Sequence, residues 1–218
     1  QRQRFWLSPH AGAANLASAG IGDGEHPFLQ AAVELADEEG WLFTGKLSLA
    51  THGWLADHRV LGAVLVPGSA LAGLALHAGA RADLAHLAEL TLHAPVIVPE
   101  QGGVILQVML GEADEHGDRP VTISSRLDHE GAEWIRNATG QLAASGAEPP
   151  RELGDWPPPD ARALDPSDVL YEQLAERGID YGTAFRGAGE AWRRGEELFA
   201  EITLEPGLAI DSSAFGIH

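Results

Sequence analysis

The chain has 218 residues, enough for one large domain or two subdomains sharing a core, with 44% hydrophobic and 21% charged residues, as in an ordinary globular protein. Its 14 Lys and Arg stand against 32 Asp and Glu, a formal net charge of −18, which repels phosphate backbones and anionic lipid and argues against nucleic-acid and membrane partners. There is no cysteine, which excludes disulfides, thiolate metal sites and a cysteine nucleophile and suits a cytoplasmic setting.

Residues 1–21 lack periodicity and are rich in Ala, Gly and Ser, so they read as a linker into the domain. No apolar core follows the basic start Gln1–Leu7, so it does not read as a signal peptide. Residues 22–142 form a strand-rich first half. Trp41, Phe43, Leu47 and Leu49 share one parity while Thr44, Lys46 and Ser48 take the other, the mark of a half-buried strand. Similar runs fall at Leu90–Val98, Val104–Leu110, Val121–Leu127 and Trp134–Leu142, separated by polar turns such as Glu115–Asp118. The acidic run Asp37–Glu39 reads as a solvated turn.

One helix interrupts these strands. Pro67-Gly68-Ser69 supplies a turn with Ser69 as N-cap, and Leu71, Leu74, Ala75 and Ala78 then recur at helical spacing up to Gly79. The segment is apolar nearly all round, so the helix should be wrapped by sheet. A buried helix inside a curled antiparallel sheet is the hotdog arrangement. Residues 143–163 carry Pro149-Pro150 and Pro157-Pro158-Pro159 and read as a stiff linker. Residues 164–218 open a second half. Asp165-Pro166 caps a helix with Val169, Leu170 and Leu174 as its core face and Gly178 as its stop, and a strand follows at Leu198-Ala200-Ile202-Leu204.

The residues suited to chemistry lie just ahead of the first helix. His58 is followed by Gly62 and then by Pro67. This places an imidazole beside a helix N-terminus, whose free N–H groups can hold a carbonyl oxygen as negative charge builds on it. Histidine is the usual proton acceptor near neutral pH. Base plus oxyanion donors is what abstraction of a proton next to a thioester carbonyl requires. His52 sits in no such frame and reads as structural. His77, His86 and His93 have no paired carboxylate at ligand spacing, so no metal site is expected. Ser69 is not in a G-x-S-x-G elbow, and no glycine run makes a phosphate loop.

His58, Gly62 and Pro67 spell HxxxGxxxxP, which is similar to the catalytic histidine motif of polyketide synthase and fatty acid synthase dehydratases. His26-Pro27-Phe28-Leu29 resembles the opening of such domains, Leu47–His52 the strand leading in, and Gln1–Leu7 the end of a linker that follows an acyltransferase. Ser125-Arg126 and Ala138-Thr139-Gly140 resemble strand signatures of the first half. Gly178–Phe185 resembles the motif GYxYGPxF, with Ile179 and Thr183 where Tyr and Pro are usual. The resemblance to a modular polyketide synthase dehydratase domain implies an α+β double hotdog, two antiparallel sheets each around a buried helix, with the second hotdog incomplete in this chain.

It also implies dehydration of a 3-hydroxyacyl thioester, carried on the phosphopantetheine of an acyl carrier protein, to the α,β-unsaturated thioester, without a cofactor or metal of the domain's own. His58 would be the general base. Gly62, Val64, Pro67 and Gly68 would bind or orient the substrate, and Tyr181 would orient the substrate or the acid. Phe215–His218 matches the approach to a His-Pro step that opens the second buried helix, so the acid, an aspartate, is expected beyond His218. The implied partners are the carrier domain, acyltransferase and ketoreductase domains of the same polypeptide, and a second copy in a homodimer. Two rivals keep the resemblance: a related hotdog isomerase or cyclase with an altered acid, and a truncated dehydratase that serves as a non-catalytic spacer.

Overall fold

Alternating apolar residues build a sheet around the first helix, and the chain then starts a second, smaller sheet. The computed structural model describes residues 20–36, 40–146, 154–164, 167–204 and 215. The expectations for Gln1–Leu7, Asp37–Glu39, Pro149-Pro150, Asp165-Pro166 and residues 216–218 lie outside the described residues.

In chain order the first half contains β1 (Ala31–Glu34), β2 (Trp41–Leu47), a 3-10 turn (Gly53–Asp57), β3 (His58–Val60), β4 (Ala63–Val64), α1 (Gly68–Ala80), β5 (His86–Leu92), β6 (Val104–Leu110), β7 (Arg119–Leu127) and β8 (Ile135–Ala143). Six of these strands form an antiparallel sheet in the order β1-β2-β6-β7-β8-β5. Along β6, Val104, Leu106, Val108 and Leu110 are buried, and they meet Val121 and Ile123 of β7 on the same face. Leu71, Leu74, Ala75 and Ala78 of α1 join them in one core. Small residues let the helix lie close: a methyl group on Gly79 would come within 2.6 Å of the Leu84 carbonyl oxygen and 2.9 Å of the Leu142 side chain. The sheet therefore wraps the helix as its composition requires.

Two local readings change. The helix begins at Gly68 with Pro67 in the cap position and no side-chain capping bond, so Ser69 lies inside the first turn and is not the N-cap. The run Leu90–Val98 is not one strand. It breaks after Leu92, where Asn137 donates to the carbonyls of Ala94 and Pro95, and the chain then crosses to pair Val96 and Val98 with Val66 and Val64.

The second half contributes β9 (Arg162–Ala163), α2 (Ser167–Glu176), β10 (Ile179–Tyr181), a 3-10 turn (Thr183–Phe185), β11 (Ala188–Arg194) and β12 (Glu197–Ile202). β12, β11 and β9 form a three-stranded sheet. Of the segment expected to link the halves, residues 154–163 pack against this sheet: β9 pairs with β11, and Trp156 sets its ring edge on Trp192 and donates to Glu201 at 2.7 Å. In α2 the buried aromatic is Tyr171, while Leu170 is 46% exposed. Leu198 and Ile202 of β12 are also exposed, and the half-buried residue between them is Phe199. A third small sheet, β10-β3-β4, stitches the two halves together. Among the described residues no helix is long and apolar enough to cross a membrane.

One packing detail carries a pH prediction. His26 and His77 lie with ring centroids 5.0 Å apart. His77 Nε2 donates to the Gly24 carbonyl at 2.6 Å, and His26 Nδ1 accepts the Phe28 amide at 3.1 Å. Protonating His26 would turn that acceptor into a donor. Burial, with a smaller contribution from His77, lowers its pKa to about 4. The unfolded chain binds this proton near 6.5, so the native state should lose stability as pH falls from about 6.5 toward 4 and lose no more from this residue below that. Thermal unfolding across this range should show the slope, and His26→Gln should flatten it. An equal slope in both proteins would refute the assignment.

Candidate active site

His58 is placed by a hairpin. β3 and β4 are joined by Leu61 and Gly62, with φ of +50° and +81°, the two left-handed residues that a tight two-residue turn requires. The turn folds the chain back so that Leu65 faces His58: the Leu65 amide donates to the His58 carbonyl at 3.1 Å, and His58 Nδ1 lies 3.0 Å from the Leu65 carbonyl oxygen. A carbonyl can only accept, so Nδ1 carries the proton. The neutral ring then keeps its lone pair on Nε2. Burial lowers the pKa of His58 and outweighs the opposing pull of the Leu65 carbonyl, so the ring is held in the neutral form that can act as a base.

The second half reaches this ring through β10. Its register sets Tyr181 opposite His58, Asp180 opposite Arg59 and Ile179 opposite Val60. Tyr181 stacks on the imidazole with centroids 5.3 Å apart, and Phe185 tilts against it at 5.1 Å. At the far end of the pairing, the Leu61 amide donates to the Gly178 carbonyl at 2.6 Å. The two motifs singled out in the sequence are thus joined edge to edge.

Two cavities meet at His58. One, of about 310 Å³, is lined by Pro67, Ser69, Tyr171, Tyr181, Phe185 and Leu204 among others. The other, of about 300 Å³, is lined by Leu65, Gly68, Leu71, Leu92, His93 and Val96 among others. Between them lies the start of α1. Of the amides expected to polarise a carbonyl there, that of Leu65 is bonded to His58 and that of Val66 to the Val96 carbonyl at 2.9 Å, and Pro67 has none. The amides of Gly68 and Ser69 remain; they begin the helix, where first-turn amides have no intrahelical acceptor, and the Val64 and Leu65 carbonyls a turn earlier face the Val98 amide and His58 Nδ1.

His58, Pro67, Gly68 and Tyr181 are therefore brought together. Gly62 and Val64 line neither cavity: Gly62 shapes the hairpin, its carbonyl accepting from Arg59, and Val64 is buried in the core. Sequence reasoning passed over the Leu65 carbonyl, Tyr171, and the contact of Phe185 with the imidazole. Neither cavity is lined by a carboxylate among the described residues. Nor do the described residues hold a group of three or more His, Asp or Glu that could bind a metal ion.

A neutral imidazole beside an open helix start, in a helix wrapped by antiparallel sheet, defines a hotdog-type domain equipped for proton transfer. Residues 26–126 match the family model described as the polyketide synthase dehydratase domain, and residues 148–218 match that described as the polyketide synthase dehydratase N-terminal domain. The chain is 48% identical over 223 aligned residues to polyketide synthase GfsA of Streptomyces halstedii, covering all of this chain and 3% of that protein. It superposes on the dehydratase domain of the terminal module of the rifamycin polyketide synthase with a TM-score of 0.86 and 40% identity, covering 93% of this chain and 74% of that one. It is similar as well to a bifunctional dehydratase-cyclase domain in ambruticin biosynthesis, with a TM-score of 0.83, 38% identity, and coverage of 92% of this chain and 73% of the other. The chain belongs to the dehydratase domains of polyketide synthases, and its fold is their double hotdog.

Proposed function

We propose that this chain supplies the base half of a dehydratase that removes water from a 3-hydroxyacyl thioester. The observation that carries the reading is the His58–Leu65 bond, which puts the proton on Nδ1 and the lone pair on Nε2 at the junction of two cavities. Nε2 takes the proton on the carbon next to the thioester carbonyl. The Gly68 and Ser69 amides hold the carbonyl oxygen while charge collects there. The C–H electrons become the new double bond, the C–O bond at the neighbouring carbon breaks, and the departing hydroxyl takes a proton to leave as water. Its proton donor, as the likeness to dehydratase domains implies, is an aspartate carried past His218. Tyr181 and Phe185 hold the imidazole, and Pro67 and Gly68 shape the wall against the substrate.

No cofactor enters these steps. The substrate would arrive on the phosphopantetheine arm of an acyl carrier domain, with acyltransferase and ketoreductase domains on the same polypeptide. The chain spans 3–6% of the first two curated relatives it matches, both polyketide synthases, which supports such neighbours. A homodimer and a cytoplasmic setting complete the reading. A second reading adds ring closure after water loss, favoured by the likeness to the ambruticin dehydratase-cyclase.

The test is to incubate the full domain with 3-hydroxyacyl thioesters on a carrier protein and follow the acyl group by mass spectrometry. Loss of one water with a new conjugated double bond is expected. Loss of water followed by disappearance of conjugation in a substrate with a distal hydroxyl would establish cyclisation. Substrates of several chain lengths returned unchanged would refute both.

A further inference from the structure

We propose that Asp57 is a positioning residue, clasping the segment that carries Tyr181 and Phe185 against His58 and so fixing the direction of the catalytic imidazole. The inference rests on the role given to His58 above. Asp57 ends the 3-10 turn that precedes His58. Its Oδ2 accepts the amide of Ala184 at 2.9 Å, and its main-chain carbonyl accepts the amide of Gly182 at 2.8 Å. The first of these bonds reaches 127 residues along the chain, and both end at the start of the Thr183–Phe185 turn, where amides have no local acceptor. Gly182 has no side chain to cap that turn. Asp57 does so from the other half of the molecule.

The fit is close enough to be selective. A Cβ on Gly182 would overlap the Asp57 carboxylate, so glycine is needed for the two segments to meet. On one side of the clasp, Tyr181 and Phe185 cover the imidazole. On the other, Trp54 of the Asp57 turn packs on Phe185 with centroids 5.9 Å apart. The ring is thus held between the Leu65 carbonyl and an aromatic wall that depends on Asp57. Asp57 lines neither cavity, so it is not placed to protonate a leaving group. Burial under that wall also lowers the pKa of His58.

The experiment compares Asp57→Ala, Asp57→Asn and Gly182→Ala in the complete domain, reading kcat, KM for a small thioester mimic, the pH profile of kcat/KM, and the His58 ring titration by NMR. Asp57→Ala and Gly182→Ala should lower kcat by roughly 100-fold, the cost of a misplacement of about 1 Å, with KM little changed. In both, the acid limb and the ring titration should move up toward about 6.5 as the imidazole is uncovered. Asp57→Asn keeps an oxygen for the Ala184 amide and should recover most of kcat and the low titration. If Asn is as impaired as Ala, charge and not the clasp is at work and the proposal falls. If Asp57→Ala leaves rate and titration unchanged, it falls as well. Should the Ala variant fail to fold, Asn and Gly182→Ala still decide between these outcomes. If the unaltered domain dehydrates nothing, the reaction assignment fails, while the clasp is still judged by the ring titration.

Discussion

Replacing His58 with alanine should lower the rate of dehydration by roughly 10²–10⁴-fold, the usual contribution of a positioned base, while the protein stays folded. The change removes Nε2 and one hydrogen bond to the Leu65 carbonyl. Loss of that bond costs about 0.5–1.5 kcal/mol, small beside the stability of a domain. His58 is not part of the buried core, so no large cavity opens. The pH profile gives an independent check. A base must be unprotonated, and burial holds the His58 pKa below its ordinary value, so kcat/KM should persist somewhat below pH 6.5 and fall as pH drops through the lowered pKa. A near wild-type rate in the alanine variant, with circular dichroism showing a native fold, would end the assignment of His58 as base.

The site was legible where chemistry depends on short spacing. His58, Gly62 and Pro67 lie within ten residues, and the helix that starts after Pro67 was legible there, whereas the hairpin through Leu61 and Gly62 was not. Pairing across the chain was not legible: nothing in Ile179–Tyr181 announces that it will lie along His58–Val60, because register between distant strands is set by packing and not by local pattern. Asp57 was hidden for the same reason, since its partners are at Gly182 and Ala184. Four strands of the first sheet, β2, β6, β7 and β8, were legible from their alternation, and β6 matches it at Val104–Leu110 residue for residue; β1 at Ala31–Glu34 is too short to show a period. β11, Ala188–Arg194, carries glycine and arginine in place of a clear alternation and gave no such signal. Leu90–Val98 misled because its period continues through the break at His93–Pro95, which only the Asn137 side chain reveals.

The largest stability effect is expected at Phe28. It is fully buried, stacks on Trp54 at 5.8 Å, and meets Phe215, His52 and His26 edge-on at 5.3, 5.2 and 5.7 Å. Cutting it to alanine removes the burial of a whole ring, and each aromatic pair adds about 0.5–1.5 kcal/mol beyond area. Whether the cost is high depends on how far the surroundings can collapse. They have little freedom: the Phe28 carbonyl lies so close to Gly45 of β2 that a Cβ there would overlap it, and the Phe28 amide is tied to His26 Nδ1. The cavity should therefore persist, and Phe28→Ala should cost about 3–5 kcal/mol. For a protein of this length that corresponds to a fall in Tm of roughly 6–20 °C. The effect should reach the site, because Trp54 passes the contact to Phe185 and Phe185 to the His58 ring. Urea unfolding of the variant beside Phe28→Leu, which fills part of the space, measures the packing contribution, and the dehydration rate of whatever remains folded measures the relay. A loss of less than about 1 kcal/mol in Phe28→Ala, within the range of an ordinary substitution, would show that the aromatic cluster does not anchor the first half.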